Sequence, residues 1–334
     1  MEMTDAWLGL QVWQWFILAL TVLACMNYLW SVIESRMAGP VAREGFQGGG
    51  QMTTAADESK YEWMDTVALY DNFYCDLYDK LVQGEKRTLL EANLLRGEWE
   101  QATPTLPIQQ WRVLDIGCGT GILAAAIASM GAQLVVGLDK SEAMIRRVRS
   151  VTIPATTLTD TQKAAIELRL GDASDISAAR EAEFTHAAVM YFAVYYVEDK
   201  VNLFRNLAYW VAPGGAVSVH VVNKHKFDPM LEAAAPTVFS LQKYSDKRIL
   251  KSQVAFDTFD YEGDFDCDEA SAAAEFRETF RFKDGSVRRQ KHTLFMPDIG
   301  GIVEAAQTAG WQYRGYVDNV ATGFEYTYTL LFTH

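Results

Sequence analysis

The sequence predicts an α/β protein. A doubly wound sheet, parallel over its first five strands, is closed by an antiparallel hairpin, interrupted by a β insertion and preceded by one membrane-spanning helix. Three observations predict this. Short apolar strands alternate with helical stretches from Arg112 to Val222, the periodicity changes to two within Asn223–Pro297, and no charged residue occurs from Trp7 to Ile33.

The 334 residues carry a formal charge of −13, with 49% hydrophobic residues and nine tryptophans, which excludes global disorder. An acidic surface argues against a nucleic-acid partner, because such binders draw affinity from basic patches. It leaves a small molecule, a lipid or a protein segment as the partner. The four cysteines, Cys25, Cys75, Cys118 and Cys267, are scattered and include no CxxC pair, so neither a zinc site nor a disulfide framework is predicted.

The uncharged run in residues 1–35 exceeds the roughly 20 apolar residues that cross a bilayer core. Trp7, Trp13 and Trp15 lie toward one end of it, Tyr28 and Trp30 toward the other, as in interfacial belts. Glu2 and Asp5 are the only charges before Trp7, unlike the positive start of a secretory signal or an Arg-rich transit peptide. A retained single-pass anchor is expected. Arg36 and Arg43 follow the span and no Lys or Arg precedes it, which places the C-terminal bulk on the cytosolic side. Residues 36–60, with Gly39-Pro40, Gly45 and Gly48-Gly49-Gly50, read as a flexible tether.

Ordered structure is expected over 61–334. Trp63, Val67, Tyr70, Tyr74, Leu77, Tyr78 and Leu81 recur at helical spacing, and a second helix follows over Lys86–Glu100. Strands are then expected at 112–115, 134–138, 166–170, 186–191 and 216–222, with helices at 122–130, 141–150 and 200–210 between them. Within 223–297, Val254–Tyr261 and Glu275–Phe282 alternate with period two. Lys283-Asp284-Gly285-Ser286 marks a hairpin, so this segment reads as an antiparallel lid or partner surface. A helix over 298–309 and closing strands at 312–317 and 325–333 complete the chain.

The chemistry centres on Val113-Leu114-Asp115-Ile116-Gly117-Cys118-Gly119-Thr120-Gly121, a strand running through a glycine turn into a helix. Glycines let backbone turn sharply and approach a ligand. The spacing is G-x-G-x-G rather than the dinucleotide G-x-G-x-x-G, and Asp115 before it would repel a pyrophosphate but suits a cationic amino-acid ligand. At these residues the chain resembles the class I S-adenosylmethionine (SAM)-dependent methyltransferases. The resemblance continues, in order, through Gly137-Leu138-Asp139-Lys140-Ser141, Gly171-Asp172-Ala173 and Ala212-Pro213-Gly214-Gly215.

The resemblance implies a seven-stranded Rossmann-like methyltransferase sheet and SAM as cofactor. It implies cofactor contacts at Asp115, Gly117, Gly119, Gly121, Asp139, Lys140, Met144, Asp172, Ala173 and Tyr191. Asp139 would hold the ribose and Asp172 the adenine amine. An N-terminal helix caps the cofactor pocket in related enzymes, which suggests that role for Tyr74; core packing explains the Tyr70–Tyr74–Tyr78 stripe equally well. Two departures are Thr185-His186, where many relatives carry an acidic residue, and Tyr191–Tyr196, which lacks the Asn-Pro-Pro-Tyr signature of methylation at planar nitrogen.

Methyl transfer from a sulfonium needs alignment and water exclusion, and a base only when the nucleophile carries a proton of high pKa. Tyr195, Tyr196 and His220 are the candidate bases or orienting groups; aromatic packing and a half-buried strand histidine are the plain alternatives. His225, His292 and His334 are isolated, without metal-ligand spacing, and receive no role. The expected activity is methyl transfer at a membrane to a small-molecule, lipid or protein acceptor. The alternative is a non-catalytic structural or assembly subunit of a membrane complex or virion that keeps the fold.

Overall fold

The computed structural model describes residues 62–64, 66–82, 84–229, 250–267 and 272–334. The expected anchor (1–35) and tether (36–60) lie outside the described residues, and among the described residues no helix is long and apolar enough to cross a membrane.

The central sheet has seven strands in the order β11-β12-β6-β5-β2-β3-β4. These are β2 (Arg112–Ile116), β3 (Leu134–Asp139), β4 (Ile166–Leu170), β5 (Phe184–Val189), β6 (Val211–Val222), β11 (Gln312–Asp318) and β12 (Thr327–Thr333). The strands from β4 to β6 pair in parallel, and β12 runs antiparallel between β6 and β11, as the sequence predicts. Val113, Leu114, Val135, Val136, Ala187, Ala188, Val217 and Val219 are all buried. That is why β2, β3, β5 and β6 read as continuous apolar runs: helices cover both faces of a parallel sheet. β4 lies at an edge, and its alternation of apolar and charged residues follows from that.

Helices α1 (Asn72–Val82), α2 (Gly84–Ala102), α3 (Ile122–Ser129), α4 (Glu142–Arg147), α5 (Asp160–Ala164), α6 (Lys200–Trp210) and α7 (Ile299–Thr308) connect and flank these strands. Several begin at side-chain caps that satisfy free N–H groups. Ser141 accepts from the Met144 N–H, Asp199 from the Asn202 N–H, and Thr159 forms a capping box with Gln162. α4 is shorter than expected because the chain passes into a π-helical turn at Val148–Thr152.

The insertion forms a second, five-stranded sheet in the order β1-β10-β9-β8-β7. Its strands are β1 (Trp63–Met64), β7 (Lys251–Ala255), β8 (Phe259–Cys267), β9 (Ala273–Phe282) and β10 (Val287–Phe295). Two expectations change here. The helical run from Trp63 is broken: Trp63 sits in β1, paired in parallel with β10, its ring under the Arg289 guanidinium at 4.1 Å. A short helical turn over Thr66–Leu69 follows, and α1 begins after Asp71, whose carboxylate accepts the Tyr74 N–H. The alternating stretch Val254–Tyr261 is two strands rather than one, because the chain reverses after Phe256, whose N–H donates to the Phe259 carbonyl.

One face of this sheet carries Phe259, Tyr261 and Phe280, which pack on Leu69, Tyr74, Leu77 and Leu81 of the N-terminal helical region. α1 is therefore held between the insertion and the carboxyl ends of the central strands. Thr120 Oγ1 donates to Asp79 Oδ1 at 2.7 Å and Ser141 Oγ to the Tyr70 carbonyl at 2.9 Å.

Gly121 caps α3 in the left-handed region, at φ 77°, and a Cβ there would lie 2.5 Å from Val148 Cγ1. Gly131 is also left-handed, at φ 96°, but faces open space. Gly121→Ala should therefore cost about 2–4 kcal/mol, conformational strain plus overpacking, and Gly131→Ala only about 1 kcal/mol. Urea denaturation of both variants checks this; equal losses would show that the contact with Val148 carries nothing.

Candidate functional site

The left-handed glycines Gly117 and Gly119, at φ 67° and 53°, turn the chain away from β2 at the point where strand order reverses between β2 and β5. Ligands of open α/β sheets bind at such points. A cavity of about 380 Å³ opens here, within the usual range for small-ligand sites.

One side of the cavity is polar and built by the central sheet. Gly117, Gly119, Asp139, Lys140, Ser141, Met144, Asp172 and Ala173 line it. Asp139, at the end of β3, accepts the Gly119 N–H on Oδ2 at 2.9 Å and the Ser141 N–H on Oδ1 at 2.8 Å. It thus ties the glycine turn to the start of α4 while remaining half-buried. Burial raises its carboxyl above the ordinary range, against those backbone bonds. Asp172 is largely exposed, accepts the Ser174 N–H, and lies 3.9 Å from the Lys140 ammonium.

The other side is aromatic. Tyr70, Tyr74 and Tyr78 from the α1 region, Tyr191, Phe192 and Tyr196 after β5, and Phe265, Phe276, His292 and Leu294 from the second sheet line it. Tyr191 and Phe192 sit at φ 41° and 64°, a backbone region that L side chains enter at a cost of about 1–3 kcal/mol each. Such strain persists only where surrounding packing enforces it; here it turns both rings toward the cavity.

Of the residues singled out from the sequence, Gly117, Gly119, Asp139, Lys140, Met144, Asp172, Ala173, Tyr191, Tyr74 and Tyr196 line the cavity. Gly121 instead packs on Val148. Asp115 is buried behind the turn, and its Oδ2 has no hydrogen-bond partner among the described residues. Burial, with Asp139 nearby, pushes its carboxyl up to about 7.

Tyr195 and His220 do not line the cavity. The Tyr195 hydroxyl is fully buried and accepts the Val222 N–H at 2.8 Å, a structural bond joining β6 to the turn after β5. His220 is buried on β6, stacked on Tyr191, with neither ring nitrogen hydrogen-bonded among the described residues. Burial, reinforced by the Arg87 charge, lowers it to about 3, so it is neutral at physiological pH.

The sequence reading passed over His292 and Glu278. His292 Nδ1 lies 2.7 Å from the Tyr196 hydroxyl and its Nε2 lies 2.7 Å from Glu278 Oε2. Glu278 is completely buried on β9 and also accepts from the Tyr261 hydroxyl at 2.8 Å and the Gln290 amide at 2.6 Å. Burial alone would raise its carboxyl, but the bonds from His292 and Gln290 outweigh that and hold it below the ordinary range. Parity was the available signal: Glu278 falls on the inward face of β9 between Phe276 and Phe280, as His292 does on β10 between Gln290 and Leu294.

Comparison with known proteins agrees with this geometry. Residues 113–215 match the family described as a methyltransferase domain. The ubiquinone biosynthesis O-methyltransferase of Leptothrix cholodnii is 30% identical over 143 residues, covering 43% of this chain and 57% of its own length. That of Thiobacillus denitrificans is 33% identical over 141 residues, covering 42% and 56%. The chain thus spans just over half the length of these curated relatives. A SAM-dependent methyltransferase of Clostridium acetobutylicum superposes with a TM-score of 0.57 at 16% identity, over 78% of this chain and 98% of its own. An amino pentose methyltransferase of Micromonospora echinaspora, solved with SAM bound, gives 0.52 at 19% identity, over 79% and 98%. Residues 113–215 thus match a methyltransferase domain, and the fold is that of solved SAM-dependent methyltransferases.

The buried Asp115 yields a pH-dependent prediction. Its folded pKa is raised, so it imposes no penalty below its ordinary value of 3.8 and the full penalty above about 7. Asp115→Asn should stabilise the protein at pH 8 by roughly 2–4 kcal/mol, with the gain fading by about pH 4. Urea midpoints across pH read this; a variant that is no more stable at pH 8 would contradict it.

Proposed function

We propose that the protein is an active methyltransferase that moves a methyl group from SAM to a small, largely apolar acceptor presented at a membrane. The observation that carries this is the two-sided cavity: a polar side at the glycine turn meets an aromatic side built partly by the insertion. The residues present fit the cofactor. Gly117 and Gly119 bring backbone to the cavity surface, Asp139 offers a carboxylate at the end of β3, and behind the turn Asp115 keeps a buried oxygen without a hydrogen-bond partner among the described residues.

Bound SAM supplies a methyl group on a sulfonium, a good leaving group that needs no further activation. Asp139 would hold the ribose hydroxyls, Asp172 and Ala173 the adenine, and Asp115 would favour a cationic ligand through its charge. Tyr74 and Tyr78 close the cavity from α1. The tyrosines and phenylalanines of the aromatic side exclude water and leave room for a flat or apolar acceptor. Oxygen is the acceptor atom we favour, because the curated relatives above are O-methyltransferases. The uncharged Trp7–Ile33 run supports membrane attachment, with the domain on the cytosolic side, where an apolar acceptor dissolved in the bilayer would reach it. Partner subunits in that membrane are compatible with the same reading.

Calorimetric titration with SAM tests the cofactor site. Wild type should bind, and Asp139→Ala should bind about tenfold to several hundredfold more weakly. Because Asp139 already braces the turn, that variant should also lose about 1–2 kcal/mol of stability. A wild-type protein that binds no SAM would make the non-catalytic subunit the better reading. Carbonate extraction of membranes tests the anchor: the full chain should stay in the pellet, and its release would overturn attachment.

A further inference from the structure

We infer that Glu278, His292 and Tyr196 form a relay that removes the proton from an acceptor hydroxyl, so that the acceptor is a phenol or a comparable alcohol. The inference rests on the transferase reading above and extends it to the acceptor side of the same cavity.

The relay follows from hydrogen-bond roles. Glu278 has no exposed surface and accepts from Tyr261 and Gln290. Its Oε1 accepts the Tyr261 hydroxyl and its Oε2 the Gln290 amide, so Glu278 meets His292 as an acceptor and the Nε2 that lies 2.7 Å from Oε2 carries a proton. In the neutral ring Nδ1 is then an acceptor, and the Tyr196 hydroxyl 2.7 Å away donates to it. The Tyr70 hydroxyl donates to Tyr196 at 3.0 Å. The Tyr196 oxygen keeps one lone pair, and both Tyr196 and His292 line the cavity. Gly263 makes the arrangement possible: it lies opposite Glu278 in the register of β8 and β9, and a Cβ there would fall 2.8 Å from the Tyr261 hydroxyl.

A carboxylate that orients an imidazole, which in turn takes a proton, is the arrangement of general-base catalysis. As the acceptor O–H bond breaks, its proton goes to the Tyr196 oxygen and the Tyr196 proton passes to Nδ1. The imidazolium so formed faces the Glu278 carboxylate. The electron pair left on the acceptor oxygen makes the new O–CH3 bond while the S–CH3 bond breaks and its pair stays on sulfur. Tyr196 and His292 act on the acceptor proton; Glu278 is a positioning residue that fixes the tautomer.

Phenols of graded acidity, 4-methoxyphenol and 4-nitrophenol, test this with the full-length protein in detergent. His292→Gln should lower kcat for 4-methoxyphenol about a hundredfold or more while KM and SAM affinity change less than about twofold. With 4-nitrophenol, which ionises without help, the loss should shrink to less than about fivefold. Equal losses with both phenols would overturn the relay in favour of a packing role. A second readout needs no turnover. In protein labelled with 15N-histidine, the His292 signals should report a proton on Nε2 at neutral pH, and Glu278→Gln should populate the other tautomer. A proton on Nδ1 in wild type would also overturn the relay. Absence of SAM binding in wild type would instead strike the transferase reading, while the tautomer signal would still decide the relay.

Discussion

A carboxylate with no exposed surface must be satisfied where it sits, and Glu278 sets that condition for the whole aromatic side of the cavity. Leaving such a charge uncompensated would cost several kcal/mol. Its donors come from β8 through Tyr261 and from β10 through Gln290 and His292. Slipping either neighbour by one residue would turn those donors to the other face of the sheet. The electrostatic requirement and the apolar face of the insertion therefore select the same register. His292, fixed in this way, is presented to Tyr196 and thereby joins the insertion to the turn that follows β5.

The polar side of the cavity is likewise built against local stability. Gly117 and Gly119 occupy left-handed backbone, Asp115 is buried with one oxygen unsatisfied among the described residues, and Tyr191 and Phe192 adopt a conformation that suits glycine better. These features cluster within one region rather than being spread over the fold, and such clustering marks functional sites. The buried sheet of Val, Ile, Leu and Ala around β2, β3, β5 and β6 supplies the stability that tolerates them.

The parallel sheet was legible because its strands are continuous apolar runs separated by helical periods, and the glycine turn because its spacing is local in sequence. The insertion was legible as antiparallel from its period-two alternation. Its boundaries were not, since Val254–Tyr261 keeps the same alternation through a reversal that only tertiary contacts define. Trp63 shows the converse: it continues a helical spacing, yet strand pairing with β10 and the Arg289 contact override that local preference. Half of the site could not be read as a site. Tyr196 was picked out by its place after the fourth expected strand, but Glu278 and His292 lie far from it in the chain and meet it only when the second sheet packs against the first. Tyr195 and His220 drew attention through residue type and position, but one hydroxyl is used within the core and the imidazole lies behind Tyr191.

The central claim is that one cavity holds the cofactor against the glycine turn and the acceptor against the insertion. A crystal structure of the protein with S-adenosylhomocysteine tests it most directly. The ribose should lie within hydrogen-bond distance of Asp139, with the sulfur facing the Tyr196–His292 wall across a space wide enough for an acceptor ring. A ligand bound elsewhere, or one whose sulfur faces away from that wall, would contradict it.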